Sequence, residues 1–117
     1  MHNFRKLDVY NRARVFAREV YVLSASVTRP EQRVVTSQLR RSALSISATI
    51  AEGCGKRSRA ETIRYLDMAN ASTAESEHHL GVAVDLAILP ERKCAPLVDE
   101  AVQLRRMISA LITNFPQ

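Results

Sequence analysis

Tryptophan is absent from this chain, aromatic residues of all kinds make up 5% of it, and its 117 residues include three glycines, four prolines and two cysteines. A core with so few rings must be built from Ala, Val, Leu and Ile, which favours close-packed helices over a sheet. The prolines stand at 30, 90, 96 and 116, leaving long uninterrupted stretches whose ends read as helix boundaries. Cys54 and Cys94 are too few for a disulfide framework and lack zinc-ligand spacing, so both are expected to be reduced and structural. No apolar run approaches the roughly 18 residues that would span a bilayer. Met1 to Asp8 lacks the apolar stretch and cleavage site of a signal peptide, which points to a cytoplasmic protein with no membrane partner. The length suits one domain over residues 1–117, able to bury about two thirds of its unfolded surface.

What the chain does have is uneven charge. The net +5 divides into +8 over residues 1–64, with 13 Lys/Arg against 5 Asp/Glu, and −3 over residues 65–117, with 4 against 7. Fourteen of the 17 basic residues are Arg, whose planar fork meets phosphate or carboxylate with two parallel hydrogen bonds. An anionic partner is therefore expected, nucleic acid being the commonest.

Four amphipathic helices follow from the spacing of apolar residues. The first starts at Asp8 as N-cap and carries Val9, Ala13, Phe16, Val20 and Leu23 on one face. The second runs from about Glu31 to Glu52, with Val35, Leu39, Ala43, Ile46 and Ile50 as its stripe and Gly53-Cys54-Gly55 as its stop. In the third, Ser58 and Glu61 form a capping box, and Ile63, Leu66, Thr73, Leu80, Val84 and Ala87 lead to Leu89 and the terminating Pro90. The fourth starts around Pro96 and carries Leu97, Ala101, Leu104, Ile108 and Leu111 up to Phe115-Pro116. Short connections make this an all-α, antiparallel up-down-up-down four-helix bundle.

Two helices depart from simple amphipathicity. The back of the second holds Ser37, Leu44, Ala48 and Ala51 where a surface helix would carry charge, so this face is expected to meet another subunit. On the third, Asn70, Thr73 and Glu77 share the side of Leu66 and Val84, and an interior acid needs a partner. Glu77 or Glu75 is expected to pair with Arg40 or Arg41 of the second helix.

No catalytic constellation emerges, and neither cofactor nor metal is expected. Glu75 and His78 have the Glu-x-x-His spacing of di-metal bundles, but that chemistry needs two such pairs, and the other histidines are the adjacent His79 and the terminal His2. There is no serine elbow, and Gly53-Cys-Gly-Lys56 follows a helix instead of the strand that a phosphate-binding loop requires. The basic surface remains. Arg40, Arg41, Lys56, Arg57, Arg59 and Arg64 form the densest cluster, joined by Arg12 and its neighbours on the first helix and by the positive end of the third helix at Ser58. With few rings to stack on bases, backbone contact would dominate.

The stretch Gln38-Leu-Arg-Arg-Ser-Ala-Leu-Ser-Ile-Ser-Ala-Thr-Ile-Ala-Glu-Gly53 resembles the signature helix of the bacterial four helix bundle proteins, first noted as reading frames within intervening sequences of 23S ribosomal RNA genes. Phe4-Arg-Lys-Leu, Tyr65-Leu66 and Ala69 to Glu77 extend the likeness over nearly the whole chain. The resemblance implies a homopentameric barrel with second-helix residues near the subunit contacts. A relative is the basic, pentameric accessory protein of diversity-generating retroelements, which associates with nucleic acid and reverse transcriptase. It also implies structural roles for Arg40, Arg41, Glu52, Gly53, Glu75 and Glu77. Thr49 and Ala71 depart from the family pattern, which has Asn and Gly there. The resulting expectation is a non-enzymatic oligomer that engages RNA or DNA backbone. The alternative is a protein-interaction scaffold whose arginines make inter-subunit or partner salt bridges.

Overall fold

The computed structural model describes residues 3–115, which form a single 3-10 turn at Phe4–Lys6 and four helices: α1 (Asp8–Ser24), α2 (Pro30–Cys54), α3 (Arg59–Asp85) and α4 (Glu91–Thr113). Side-chain pairs set their directions. Ser42 meets Ser76 and Ser45 meets Ser72 between α2 and α3, Asn70 meets Ser109 and Glu77 meets Arg105 between α3 and α4, and Arg40 reaches back to Ser24 on α1. Between α2 and α3, and between α3 and α4, one residue number rises as the other falls, so these helices are antiparallel. Connections of four or five residues impose the same on every successive pair. The resulting four-helix bundle measures 47 × 22 × 19 Å.

The expected stripes supply the core. Val9, Ala13, Phe16 and Val20 from α1 pack with Leu39, Ala43, Ile46 and Ile50 from α2, Leu66 and Leu80 from α3, and Leu97, Ala101, Leu104 and Ile108 from α4. Leu23, Val35, Ile63, Val84 and Leu111 are half-buried at its margin.

The α2–α3 contact is built from small and hydroxylic residues. Ser42 and Ser76 Oγ lie 2.8 Å apart in the interior, and Ser45 and Ser72 Oγ 2.9 Å apart beside them. Further along, the Thr62 hydroxyl donates to the Gly53 carbonyl at 3.0 Å, fully buried. Each satisfied hydroxyl contributes on the order of 1 kcal/mol, and its short side chain lets the helix axes approach. Gly53 was expected to stop α2, but it lies inside the helix. Its role is close approach: a Cβ there would fall 2.9 Å from Tyr65 Cβ and 3.3 Å from the Thr62 carbonyl oxygen.

Helix ends differ from the sequence reading at four places. Leu7, in extended conformation, is the N-cap of α1, and Asp8 is its first residue, with the carboxylate in the first turn where the dipole favours it. Pro30 opens α2 at its first position, which needs no N–H. α3 ends at Asp85, because Ala87 adopts φ 56°, while the Ile88 N–H donates to the Ala83 carbonyl at 2.8 Å and the Ala87 N–H to Val84 at 3.0 Å. This is a Schellman ending with alanine where glycine is usual. α4 begins five residues before Pro96, which sits in its second turn. Pro90 caps the start, its carbonyl accepting from the Lys93 and Cys94 N–H groups, and buried Leu89 and Cys94 occupy the positions of a hydrophobic staple.

The expected acid–arginine pairing is also redrawn. Ser76 takes the position that faces α2, so Glu77, one residue and about 100° further round, looks toward α4, and Arg105 Nη1 lies 3.5 Å from its Oε1. Glu75 sits in one polar cleft with Arg41 but pairs with neither Arg40 nor Arg41; its Oε2 lies 3.3 Å from His79 Nε2, one turn along α3.

Two substitutions test these readings by thermal unfolding. Ala87→Gly should raise stability by about 0.5–1 kcal/mol by removing a left-handed Cβ. Gly53→Ala should lower it by about 1 kcal/mol or more, the clash with Tyr65 outweighing the gain in helix propensity.

Candidate nucleic-acid interface

The turn from α2 into α3 is formed by short-range backbone bonds. The Gly55 N–H donates to Glu52 and the Lys56 N–H to Gly53, each at 3.1 Å, and Ser58 then caps α3 by accepting from the Glu61 N–H at 3.1 Å. This turn carries Lys56, Arg57 and Arg59, and Arg64 follows about 8 Å along α3. Because α1 runs antiparallel to α2, the Phe4–Lys6 turn packs at the same end and brings Arg5 and Lys6 there. The pole so formed is rich in cations.

Within it Lys56 Nζ sits 4.8 Å above the Tyr65 ring, Arg57 and Arg64 are exposed, and Arg59 is half-buried with an Nε that lacks a hydrogen-bond partner. Among the described residues Arg57, Arg59 and Arg64 have no ion-pair partner. The dipole end of α3 is less open to an anion than the sequence suggested. Glu61 lies in its first turn with Oε1 3.5 Å from Ser58 Oγ, placing a carboxylate where a phosphate would sit.

The remaining arginines do not join this pole. Arg12 makes a two-pronged pair with Glu100 of α4, Nη2 to Oε1 at 2.6 Å and Nε to Oε2 at 2.9 Å, and its Nη1 donates to Met107 Sδ at 3.3 Å. The bond to Glu100 raises the Arg12 guanidinium above its ordinary value. Both side chains are partly exposed, and screening limits the pair to at most about 1 kcal/mol. Arg40 donates through Nε to Ser24 Oγ at 2.7 Å and through Nη2 to the Tyr21 carbonyl at 3.3 Å, with its guanidinium 4.3 Å over the Tyr21 ring. It thus satisfies the C-terminal end of α1. Arg41 is exposed but lies about 20 Å along α2 from the turn, in a cleft with Gln38, Ser45, Ser72 and Glu75. The sequence cluster is therefore split: Lys56, Arg57, Arg59 and Arg64 come together, Arg41 stands apart, and Arg12 and Arg40 are committed to helix–helix contacts.

The back of α2 lies open on this chain. Ser37, Leu44, Ala48 and Glu52 are exposed and Ala51 is half-buried, and Leu44 with Ser47 faces Arg14, Arg18 and Tyr21 across a shallow groove of about 410 Å³. Sequence reasoning missed the role of tyrosine. Tyr21 lies under Arg40 of the neighbouring helix and Tyr65 under Lys56 of the turn before its own helix, pairings set by tertiary packing that residue spacing does not show. Thr49, one of the two departures from the family pattern, donates to the Ser45 and Ile46 carbonyls at 2.7 and 3.1 Å, within its own helix.

Among the described residues no group of three or more His, Cys, Asp or Glu side chains is arranged to hold a metal, and no helix is long and apolar enough to cross a membrane. His78 and His79 meet edge to face with ring centroids 5.2 Å apart; His2 lies outside the described residues.

Fold and surface together define a four-helix bundle with a basic pole. A family model described as 23S rRNA-intervening sequence protein matches residues 5–110, and the chain belongs to that family. In structure it is similar to a protein of unknown function of the S23 ribosomal protein family from Bacteroides thetaiotaomicron. The two share 21% identity with a TM-score of 0.83 over 91% of this chain and 99% of that one. Among curated proteins none matches.

Cys54 and Cys94 are 4% and 1% exposed, and burial raises both thiols above their ordinary value, so they are neutral at neutral pH. A thiol-reactive chromogenic disulfide should label neither cysteine in the native protein and both after unfolding in denaturant. Fast native labelling would contradict this packing.

Proposed function

We propose that the protein is a non-enzymatic, cytoplasmic homo-oligomer that engages the phosphate backbone of RNA or DNA through its basic pole. For the assembly, the family resemblance implies five copies. The observation that carries this reading is the division among the arginines. Those that bind within the chain, Arg12, Arg40 and Arg105, hold helices together, whereas Arg57, Arg59 and Arg64 have no ion-pair partner among the described residues and lie near one end with Lys56. Unpaired surface guanidinium groups keep their full attraction for phosphate, and each one that neutralises a phosphate releases condensed counterions. An oligomer would multiply the pole, so weak single contacts would act together. With no array of exposed rings among the described residues, binding should tolerate changes of sequence.

A second reading, a protein-interaction scaffold, draws support from Arg41 and Glu75, which line one cleft without pairing with each other. In that reading an acidic residue of another subunit or partner takes Arg41, and Arg41→Glu breaks the assembly while leaving the pole untouched.

Fluorescence anisotropy with labelled single-stranded RNA and duplex DNA tests the first reading. At about 50 mM salt binding should be measurable, with log affinity falling linearly in log salt. Replacing Arg57, Arg59 and Arg64 together by Ala should weaken binding to all sequences alike and reduce the salt slope by about 0.7–0.9 for each phosphate no longer neutralised. Arg12→Ala should lower stability and leave the slope unchanged. Absence of binding at about 50 mM salt would reject the reading.

A further inference from the structure

Opposite sides of the bundle carry grooves of opposite charge. On the α1/α2 side, the groove over Ala17, Tyr21 and Leu44 has Arg14 and Arg18 as its charged residues. On the α3/α4 side, a groove of about 350 Å³ has Leu80, Val84 and Val98 in its lining together with Asp85, Glu91 and Asp99, and no basic residue; the cation of the adjoining groove that shares Gly81 and Asp85, Arg105, is held against Glu77. None of these three carboxylates has an ion-pair partner among the described residues, and neither has Arg14 or Arg18. The basic side also projects apolar side chains into solvent: Val22 is 70% exposed, Leu44 49% and Val15 44%.

A second observation concerns the wall of the acidic groove. Gly81 lies in the interior of α3 and in the wall of this groove, and a Cβ built there would meet nothing within 4 Å. A mid-helix glycine costs about 1 kcal/mol relative to alanine. Gly53 offsets that cost by admitting Tyr65, but nothing inside the chain requires Gly81 to be small. No described residue fills the space it leaves.

We propose that the α3/α4 groove receives the α1 edge of a second copy, with Arg14 and Arg18 meeting Asp85, Glu91 and Asp99 and the exposed valines closing over Gly81. This rests on the oligomer of the preceding section and names its two surfaces. The chemistry selects a second copy: a groove with three carboxylates over an apolar floor needs a partner with cations beside small projecting apolar groups, and this chain displays such an edge on its other side. Pairing two α1/α2 sides about a two-fold axis would instead bring arginines toward arginines. The contact joins unlike surfaces, so each copy in a dimer still offers one free surface, and assembly continues until a ring closes.

Light scattering on the full chain and on charge-reversed variants decides the matter. The wild type should be assembled. Arg14→Glu/Arg18→Glu and Asp85→Arg/Asp99→Arg should each fall to the 13.1 kDa monomer mass with helical circular dichroism intact. A 1:1 mixture of the two variants should associate again, because each then supplies the charge that the other needs. Gly81→Phe, whose ring faces open space in the single chain, should give a folded monomer. If the reversals and Gly81→Phe keep the wild-type mass, these surfaces do not meet and the proposal fails while the oligomer stands. Monomeric variants that stay apart when mixed would also overturn it, and a monomeric wild type would overturn the oligomer as well.

Discussion

The close approach of α2 and α3 is the constraint on which the rest of the bundle depends. Gly53 and the pairs Ser42–Ser76 and Ser45–Ser72 let the two helices lie nearer than leucine-on-leucine packing permits, and their hydroxyls are satisfied across the contact or by carbonyls one turn back. Two consequences follow from this geometry. The turn between these helices can be short, which concentrates Lys56, Arg57 and Arg59 at one pole. The rotation of α3 is also set, so Ser76 points inward, Glu77 turns toward Arg105, and Glu75 opens into the cleft beside Arg41.

Arginine serves two ends in this molecule, and geometry separates them. Where a guanidinium crosses a helix–helix seam, its fork finds a carboxylate, a hydroxyl or the last carbonyls of a helix, as Arg12 and Arg40 do. The hydrogen-bonding capacity of such groups is already engaged, which weakens their pull on an outside anion. At the α2–α3 pole and along the outer edge of α1 the guanidinium groups have no ion-pair partner among the described residues, and there the positive potential of the chain is expressed. The net charge of +5 therefore understates the contrast between a basic α1/α2 side and an acidic α3/α4 groove.

Much of the fold was legible because helical periodicity is local. The apolar stripes, such as Leu39, Ala43, Ile46 and Ile50 on α2, and the Ser58 cap need only the chain's own spacing to be read. The helix ends were less so. Ala87 at φ 56° and Pro96 inside α4 both violate residue preferences, and each is held there by interactions that propensity does not contain: the Schellman bonds to Ala83 and Val84, and the cap and staple at Pro90, Leu89 and Cys94. The membership of the basic site was the least legible part. Arg40 and Arg41 are adjacent in sequence, yet one is bound to α1 and the other faces solvent, because a step of about 100° around α2 carries a side chain from a seam to the surface.

By itself the sequence determined the number of helices, their inward faces and the asymmetry of charge between the two halves, since all of these depend on residue type and on separations of three or four. Only the tertiary structure decided which cations are neutralised within the chain, which acid meets which arginine, and why packing inside the chain requires a glycine at Gly53 and not at Gly81. Those are properties of pairs brought together across tens of residues, and their partners are set by how the helices rotate and how closely they pack.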